Sequence, residues 1–134
     1  MKRIIFATGN EGKLREIRMI LKDFPVEIVS MKEAGIDVDI DENGTTFEEN
    51  ALIKARTIMK MTGDIVLADD SGLEIDYFDG APGVYSARFL GENTSYDVKN
   101  QYILDKMENV PEEKRTARFV CVMAAVFPDG TEVT

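Results

Sequence analysis

Apolar positions along the chain fall into short runs of two periods, and the alternation of those periods predicts an α/β protein. Lys2–Ala7 (KRIIFA) is apolar and β-branched, the mark of a strand, and it ends at Thr8-Gly9-Asn10-Glu11-Gly12. Over Lys13–Leu21 the apolar residues Leu14, Ile17, Ile20 and Leu21 recur at helical spacing. Val26–Ser30 predicts a second strand beyond Pro25, and Ala34–Thr45 an acidic, glycine-containing loop. Thr46 and Glu49 carry the spacing of a capping box. Phe47, Ala51, Ala55, Ile58 and Met59 then give one buried helix face, and Gly63 a stop. Ile65–Ala68 predicts a strand running into a turn at Asp69-Asp70-Ser71-Gly72, followed by a strand over Leu73–Phe78. A turn at Gly80–Gly83, a helix over Tyr96–Met107 and a long buried strand over Thr116–Phe127 come next. Pro128-Asp129-Gly130 is a turn signal, and Thr131–Thr134 begins a return strand. Hairpin partners are of comparable length, so the reading is a single domain, 1–134, cut at its C-terminus.

Composition narrows the function. With 134 residues, 44% of them apolar, one domain can bury a core. No apolar run approaches the roughly 18 residues of a membrane span, and residues 1–6 lack a signal peptide's apolar region; the expected place is the cytoplasm, without a membrane partner. The single cysteine, Cys121, excludes an internal disulfide and reads as a buried residue among Val120, Val122 and Met123. A net charge of −9 argues against a nucleic-acid surface, which needs a basic stripe. A small polyanion remains possible through a metal ion and a few local cations. The absence of histidine from these residues removes Ser-His-Asp, Cys-His and His-based zinc sites. Carboxylates, a tuned lysine or metal-bound water are left for acid–base work.

Four stretches could carry such chemistry. Asp69-Asp70-Ser71-Gly72, at the carboxyl end of an apolar strand, offers two carboxylates and a hydroxyl suited to Mg²⁺; the bland alternative is an Asp-rich turn. Thr8-Gly9-Asn10-Glu11-Gly12-Lys13 offers backbone N–H groups near a helix start, two side-chain donors and one point charge to an anion. It is too short for a Walker A loop, and the alternative is a plain βα turn. On the following helix Asn50 and Lys54 share a side, Glu49 is spent on the capping box, and Lys54 is either a phosphate contact or a solvated surface residue. Asp39-x-Asp41-x-Asn43-Gly44 begins like a calcium loop, but Asn50 stands where the bidentate Glu belongs. What survives there is Asp41 or Glu42 as a carboxylate for the same metal as Asp70. Arg88 and Arg118 could touch phosphate, with surface ion pairs as the alternative.

Together the segments resemble the inosine triphosphate pyrophosphatase family. The resemblance rests on Thr8-Gly9-Asn10-x-x-Lys13, Gly44-Thr45-Thr46-Phe47-Glu48-Glu49-Asn50-Ala51 with Lys54-Ala55, and Ala68-Asp69-Asp70-Ser71-Gly72-Leu73. Gly80-Ala81-Pro82-Gly83-Val84-Tyr85-Ser86-Ala87-Arg88-Phe89 and Ala117-Arg118-Phe119 complete it. It implies a long, curved mixed sheet with flanking helices, two lobes around a cleft, and a homodimer. It also implies Mg²⁺-dependent hydrolysis of ITP, dITP and XTP to monophosphate and pyrophosphate. By position Thr8, Asn10 and Lys13 would hold phosphates, Asp70 would be general base and metal ligand, and Ser71 would contact substrate. Asp69 joins Asp41 or Glu42 among the candidate metal ligands. The family continues into a Gly-rich stretch, a Phe-Gly-Tyr-Asp motif and a Ser-His-Arg segment that read the base, and none of these lies in residues 1–134. The alternatives are a pyrophosphatase for another modified nucleotide and a non-catalytic calcium- or nucleotide-binding module.

Overall fold

The computed structural model describes residues 2–87, 89–91 and 94–134. The chain forms two compact units, Met1–Asp70 with Val122–Thr134, and Ser71–Cys121. In chain order the elements are β1 (Lys2–Ala7), α1 (Glu11–Ile20), β2 (Val26–Ser30), α2 (Phe47–Thr62), β3 (Ile65–Ile75), α3 (Tyr96–Lys106), β4 (Ala117–Val126) and β5 (Glu132–Val133). The five strands form one mixed sheet in the order β2-β1-β3-β4-β5. β1 is parallel to both β2 and β3, and β4 is antiparallel to β5. The expected α/β class is thus the observed one.

Strand β1 explains the first unit. A strand turns successive side chains to opposite faces of its sheet. Ile5 and Ala7 join a core with Ala55 and Ile58 of α2, Val66 and Ala68 of β3, and Val126 of β4. Phe6, between them, packs with Leu14 of α1 and Ile28 of β2 in a second cluster. Alternate residues of β1 therefore pack with different helices, and near-continuous apolarity is what a parallel strand buried on both faces requires. Helix α2 starts where its signals put it: the Thr46 hydroxyl accepts from the Glu49 N–H at 3.1 Å. The Glu49 carboxylate accepts from the Thr45 N–H at 2.8 Å. Gly63 closes the helix at φ 71°, a left-handed conformation that suits glycine.

The second unit has its own small core of Ile75, Met107 and Val110, with Leu73, Phe78 and Ile103 against it. Arg115 secures the end of α3 by donating to the carbonyls of Met107 (2.7 Å) and Val110 (3.1 Å).

Two expectations are corrected. Asp69-Asp70-Ser71-Gly72 is not a turn, because β3 runs unbroken from Ile65 to Ile75 and the second expected strand ends there in a 3₁₀ turn, Asp76–Phe78. Asp and Gly are poor strand formers, which is why the stretch reads as a break. In the sheet β3 is hydrogen-bonded to β1 on one side and β4 on the other, and near its end the Leu73 N–H donates to the Ser86 hydroxyl at 2.9 Å and the Ile75 N–H to the Ala81 carbonyl at 3.1 Å. Strand β4, in turn, is buried only at Ala124 and Val126; Phe119 is 85% exposed and Cys121 is exposed as well. Apolarity identifies a strand but does not say which of its positions another element covers.

Candidate active site

The pairing register assembles the site. Ala7 of β1 stands opposite Ala68 of β3, and β1 ends there while β3 continues. The loop from Thr8 is thereby delivered beside Asp69, at the carboxyl end of β1 and just past its parallel pairing with β3, the kind of place where open α/β sheets bind ligands. Within the loop, the Thr8 hydroxyl accepts from the Asn10 N–H at 3.1 Å. The Asn10 side-chain oxygen caps α1 by accepting from the Lys13 N–H at 3.1 Å. Both oxygens are thus engaged as local acceptors, and the groups with protons to offer a phosphate are the Thr8 hydroxyl and the Asn10 amide nitrogen.

Two lysines from different helices converge on Asp69. The Lys13 ammonium of α1 forms an ion pair with the Asp69 carboxylate, which is only 5% exposed. The Lys54 ammonium of α2 donates to the Asp69 carbonyl at 2.9 Å and lies 3.3 Å from a Glu42 carboxylate oxygen. Lys54 is thus a half-buried, bonded residue rather than a solvated surface lysine. Asp69 is buried while Asp70, its neighbour on the strand, is half-buried. Strand alternation sends their side chains to opposite faces. Asp69 thus meets Lys13 through its carboxylate and Lys54 through its backbone carbonyl.

Structure also separates Asp41 from Glu42. Glu42 lines a cavity of about 230 Å³ together with Gly9, Asp39 and Lys54, whereas Asp41 is exposed and outside that lining. Asp39 is a cavity residue that sequence reasoning treated only as part of a failed calcium loop. Asn50 is 3% exposed, and its side-chain oxygen accepts from the Gly44 N–H at 2.8 Å, so it is spent on holding the loop. Gly44 is required by that approach: a Cβ there would meet the Glu49 Cβ at 2.6 Å and the Asn50 oxygen at 2.8 Å. Among the described residues no three His, Cys, Asp or Glu side chains gather as a metal-binding group. Mg²⁺ ordinarily takes one or two carboxylates, its waters and the substrate's phosphates, and hard oxygen donors such as Glu42 and Asp70 fit that mode.

Ser71 belongs to the second unit and lines a different cavity there, of about 360 Å³. Lys99 lines the same cavity and is 3% exposed. Its signal in the sequence is its place at helical spacing between Tyr96 and Ile103 on α3, a lysine on an apolar stripe. Arg118 is a surface ion-pair residue, 2.8 Å from Asp76 and 3.6 Å from Glu74. Arg88 lies outside the described residues.

A family model described as the Ham1 family matches residues 4–134. The chain belongs to that family. Among its relatives, the dITP/XTP pyrophosphatase of Clostridium perfringens is 47% identical over 139 residues, covering 99% of this chain and 68% of that protein. The dITP/XTP pyrophosphatase of Caldanaerobacter subterraneus subsp. tengcongensis is 52% identical over 127 residues, covering 94% and 64%. The chain spans about two thirds of the length of these two relatives. In structure it matches the Staphylococcus aureus Ham1 protein with a TM-score of 0.87 at 39% identity, covering 98% of this chain and 67% of that one. It matches a Mycobacterium abscessus nucleoside-triphosphatase / dITP/XTP pyrophosphatase with a TM-score of 0.85 at 40% identity, covering 98% and 69%. Among the described residues no helix is long and apolar enough to cross a membrane.

Proposed function

We propose that this chain provides the phosphate-handling part of a cytoplasmic, homodimeric enzyme that hydrolyses dITP, ITP and XTP to the monophosphate and pyrophosphate. The convergence of Lys13 and Lys54 on Asp69, beside the Thr8–Asn10 loop, carries the reading. Two half-buried ammonium groups next to a helix N-terminus form a cradle for several phosphate oxygens, and their low-dielectric setting strengthens each contact. The names of the relatives supply the substrate class. In this reading the Thr8 hydroxyl, the Asn10 amide and the backbone through Gly12 orient the triphosphate, and Ser71 donates one further hydrogen bond. Asp70 accepts a proton from the attacking water and aims it at phosphorus, opposite the leaving pyrophosphate. Glu42 and Asp70 would hold Mg²⁺, which when bound neutralises charge on the phosphate oxygens. The role of the Asp69 carboxylate is to set Lys13, while the backbone carbonyl of Asp69 receives Lys54.

The test is pyrophosphate release from ITP, dITP, XTP, ATP and GTP with Mg²⁺. It compares the 134-residue chain with the same chain extended by the C-terminal third of its Clostridium relative. The extended protein should prefer the deaminated purines, and Asp70→Asn should lower kcat by at least about 10²-fold. No turnover by the extended protein removes the enzyme assignment. Full activity in Asp70→Asn removes the mechanism but leaves the reaction.

A further inference from the structure

We propose that Lys99 is a positioning residue: its buried ammonium fixes the Ser86–Ala87 turn, whose Ser86 hydroxyl holds the Leu73 amide and thereby the Ser71–Gly72 backbone. Every contact involved lies within the second unit. Lys99 donates to the Ala87 carbonyl at 2.8 Å, lies 3.5 Å from the Ser86 carbonyl, and sits 4.8 Å from the centroid of the Tyr96 ring. Among the described residues these are its partners, and no carboxylate is among them. A lysine at 3% exposure surrenders its hydration, a cost that an apolar side chain of equal length would avoid. Carbonyl contacts and a ring face are what the charge obtains in return, and they restrain one turn in particular.

That turn is joined to β3. The Ser86 hydroxyl donates to the Gly83 carbonyl at 2.7 Å and accepts from the Leu73 N–H at 2.9 Å. Leu73 is two residues beyond Ser71, and Gly72 between them has no side chain to fix the strand. Ser71, Gly72 and Leu73 line the same cavity as Lys99, opposite Tyr96, Asn100 and Ile103 on one stripe of α3. The path thus runs from the Lys99 charge to the Ser86–Ala87 carbonyls, the Ser86 hydroxyl, the Leu73 amide and the Ser71 backbone. The consequence for catalysis rests on the reading of Ser71 as a substrate contact in a triphosphate pyrophosphatase.

Amide hydrogen exchange at Leu73 tests the path without any activity, in the chain itself and in Lys99→Met, Lys99→Arg and Ser86→Ala. Protection of the Leu73 amide should fall by at least about tenfold in Lys99→Met and Ser86→Ala and be restored in Lys99→Arg. If Lys99→Met does not fold by circular dichroism, Lys99→Gln takes its place. In the extended protein, Lys99→Met should lower kcat about tenfold with KM changed less than about twofold, since misplacement at the reacting centre acts on the transition state. The double variant with Ser86→Ala should lose no more than either single one. Unchanged Leu73 protection in Lys99→Met, or an Arg variant that behaves like Met, overturns the proposal. If the extended protein has no turnover, the functional reading fails, and the exchange experiment still decides whether Lys99 positions the strand.

Discussion

Adjacent aspartates on one strand are given different work by residue-level geometry. Asp69 is buried and paired with Lys13, while Asp70 is half-buried and lies next in the chain. Replacing Asp69 by Asn keeps the shape but removes the charge opposite a partly buried ammonium. A charged hydrogen bond of this kind contributes about 1–3 kcal/mol, and the loss leaves Lys13 without its counter-charge. Asp69→Asn should therefore lower the urea midpoint, with an unchanged m-value, and also raise KM for the triphosphate as Lys13 moves. Asp70→Asn should leave the urea midpoint within about 0.5 kcal/mol of the parent in stability and act on kcat. Urea titration of the two variants side by side, followed by steady-state kinetics, separates them. Equal loss of stability in both would show that the two carboxylates are not divided in this way.

At the scale of elements, the loop that carries Asp39 and Glu42 is pinned to α2 by glycine. Adding a methyl at Gly44 puts it 2.6 Å from the Glu49 Cβ, so the loop must retreat and give up the 2.8 Å bond from the Gly44 N–H to Asn50. At Gly63 an added Cβ meets nothing within 4 Å, and the only penalty is the left-handed φ of 71°. Gly63→Ala should cost about 1 kcal/mol, and Gly44→Ala more, about 2–3 kcal/mol, from the crowding and the lost bond together. Differential scanning calorimetry ranks the two, and an equal or smaller drop in Tm for Gly44→Ala contradicts the crowding account. The same helix shows what was legible in the sequence. The Thr46 cap, the apolar face and the Gly63 stop of α2 are local signals, and each stands where it was read. The strand through Asp69–Gly72 was not legible, because pairing in the sheet, where β3 lies between β1 and β4, overrides the low strand propensity of Asp and Gly. Nor was the pairing of Asp69 with Lys13, which are 56 residues apart and meet only through the register of β1 on β3. Family resemblance named both residues, and only the fold says what each touches.

For the whole molecule, acid should reveal the ion pairs that hold distant segments of chain together. In the first unit, hydrogen bonds from Arg56 hold the Glu132 carboxyl below its usual range, tying β5 to α2. In the second unit, the Thr116 hydroxyl first and then Arg118 hold the Asp76 carboxyl below its usual range. A carboxyl whose folded pKa is depressed contributes stability that is fully present above its unfolded pKa of roughly 4 and is lost as pH falls through the folded value. The direction of the effect is therefore loss on acidification, beginning below about pH 5. All of these groups face solvent, so each contribution is small and screened by salt. The net charge of −9 acts in the opposite sense over the same range, since protonation relieves self-repulsion. The difference in Tm between parent and variant isolates the pair from that background. For Asp76→Asn and for Glu132→Gln it should be largest near pH 7, shrink on going down through about pH 4, and vanish once the parent's carboxyl is protonated. It should also narrow in about 1 M salt at neutral pH, where exposed charges are screened within about 3 Å. A difference in Tm that stays constant from pH 7 to pH 3 would mean that the substitution removes packing rather than a titrating pair.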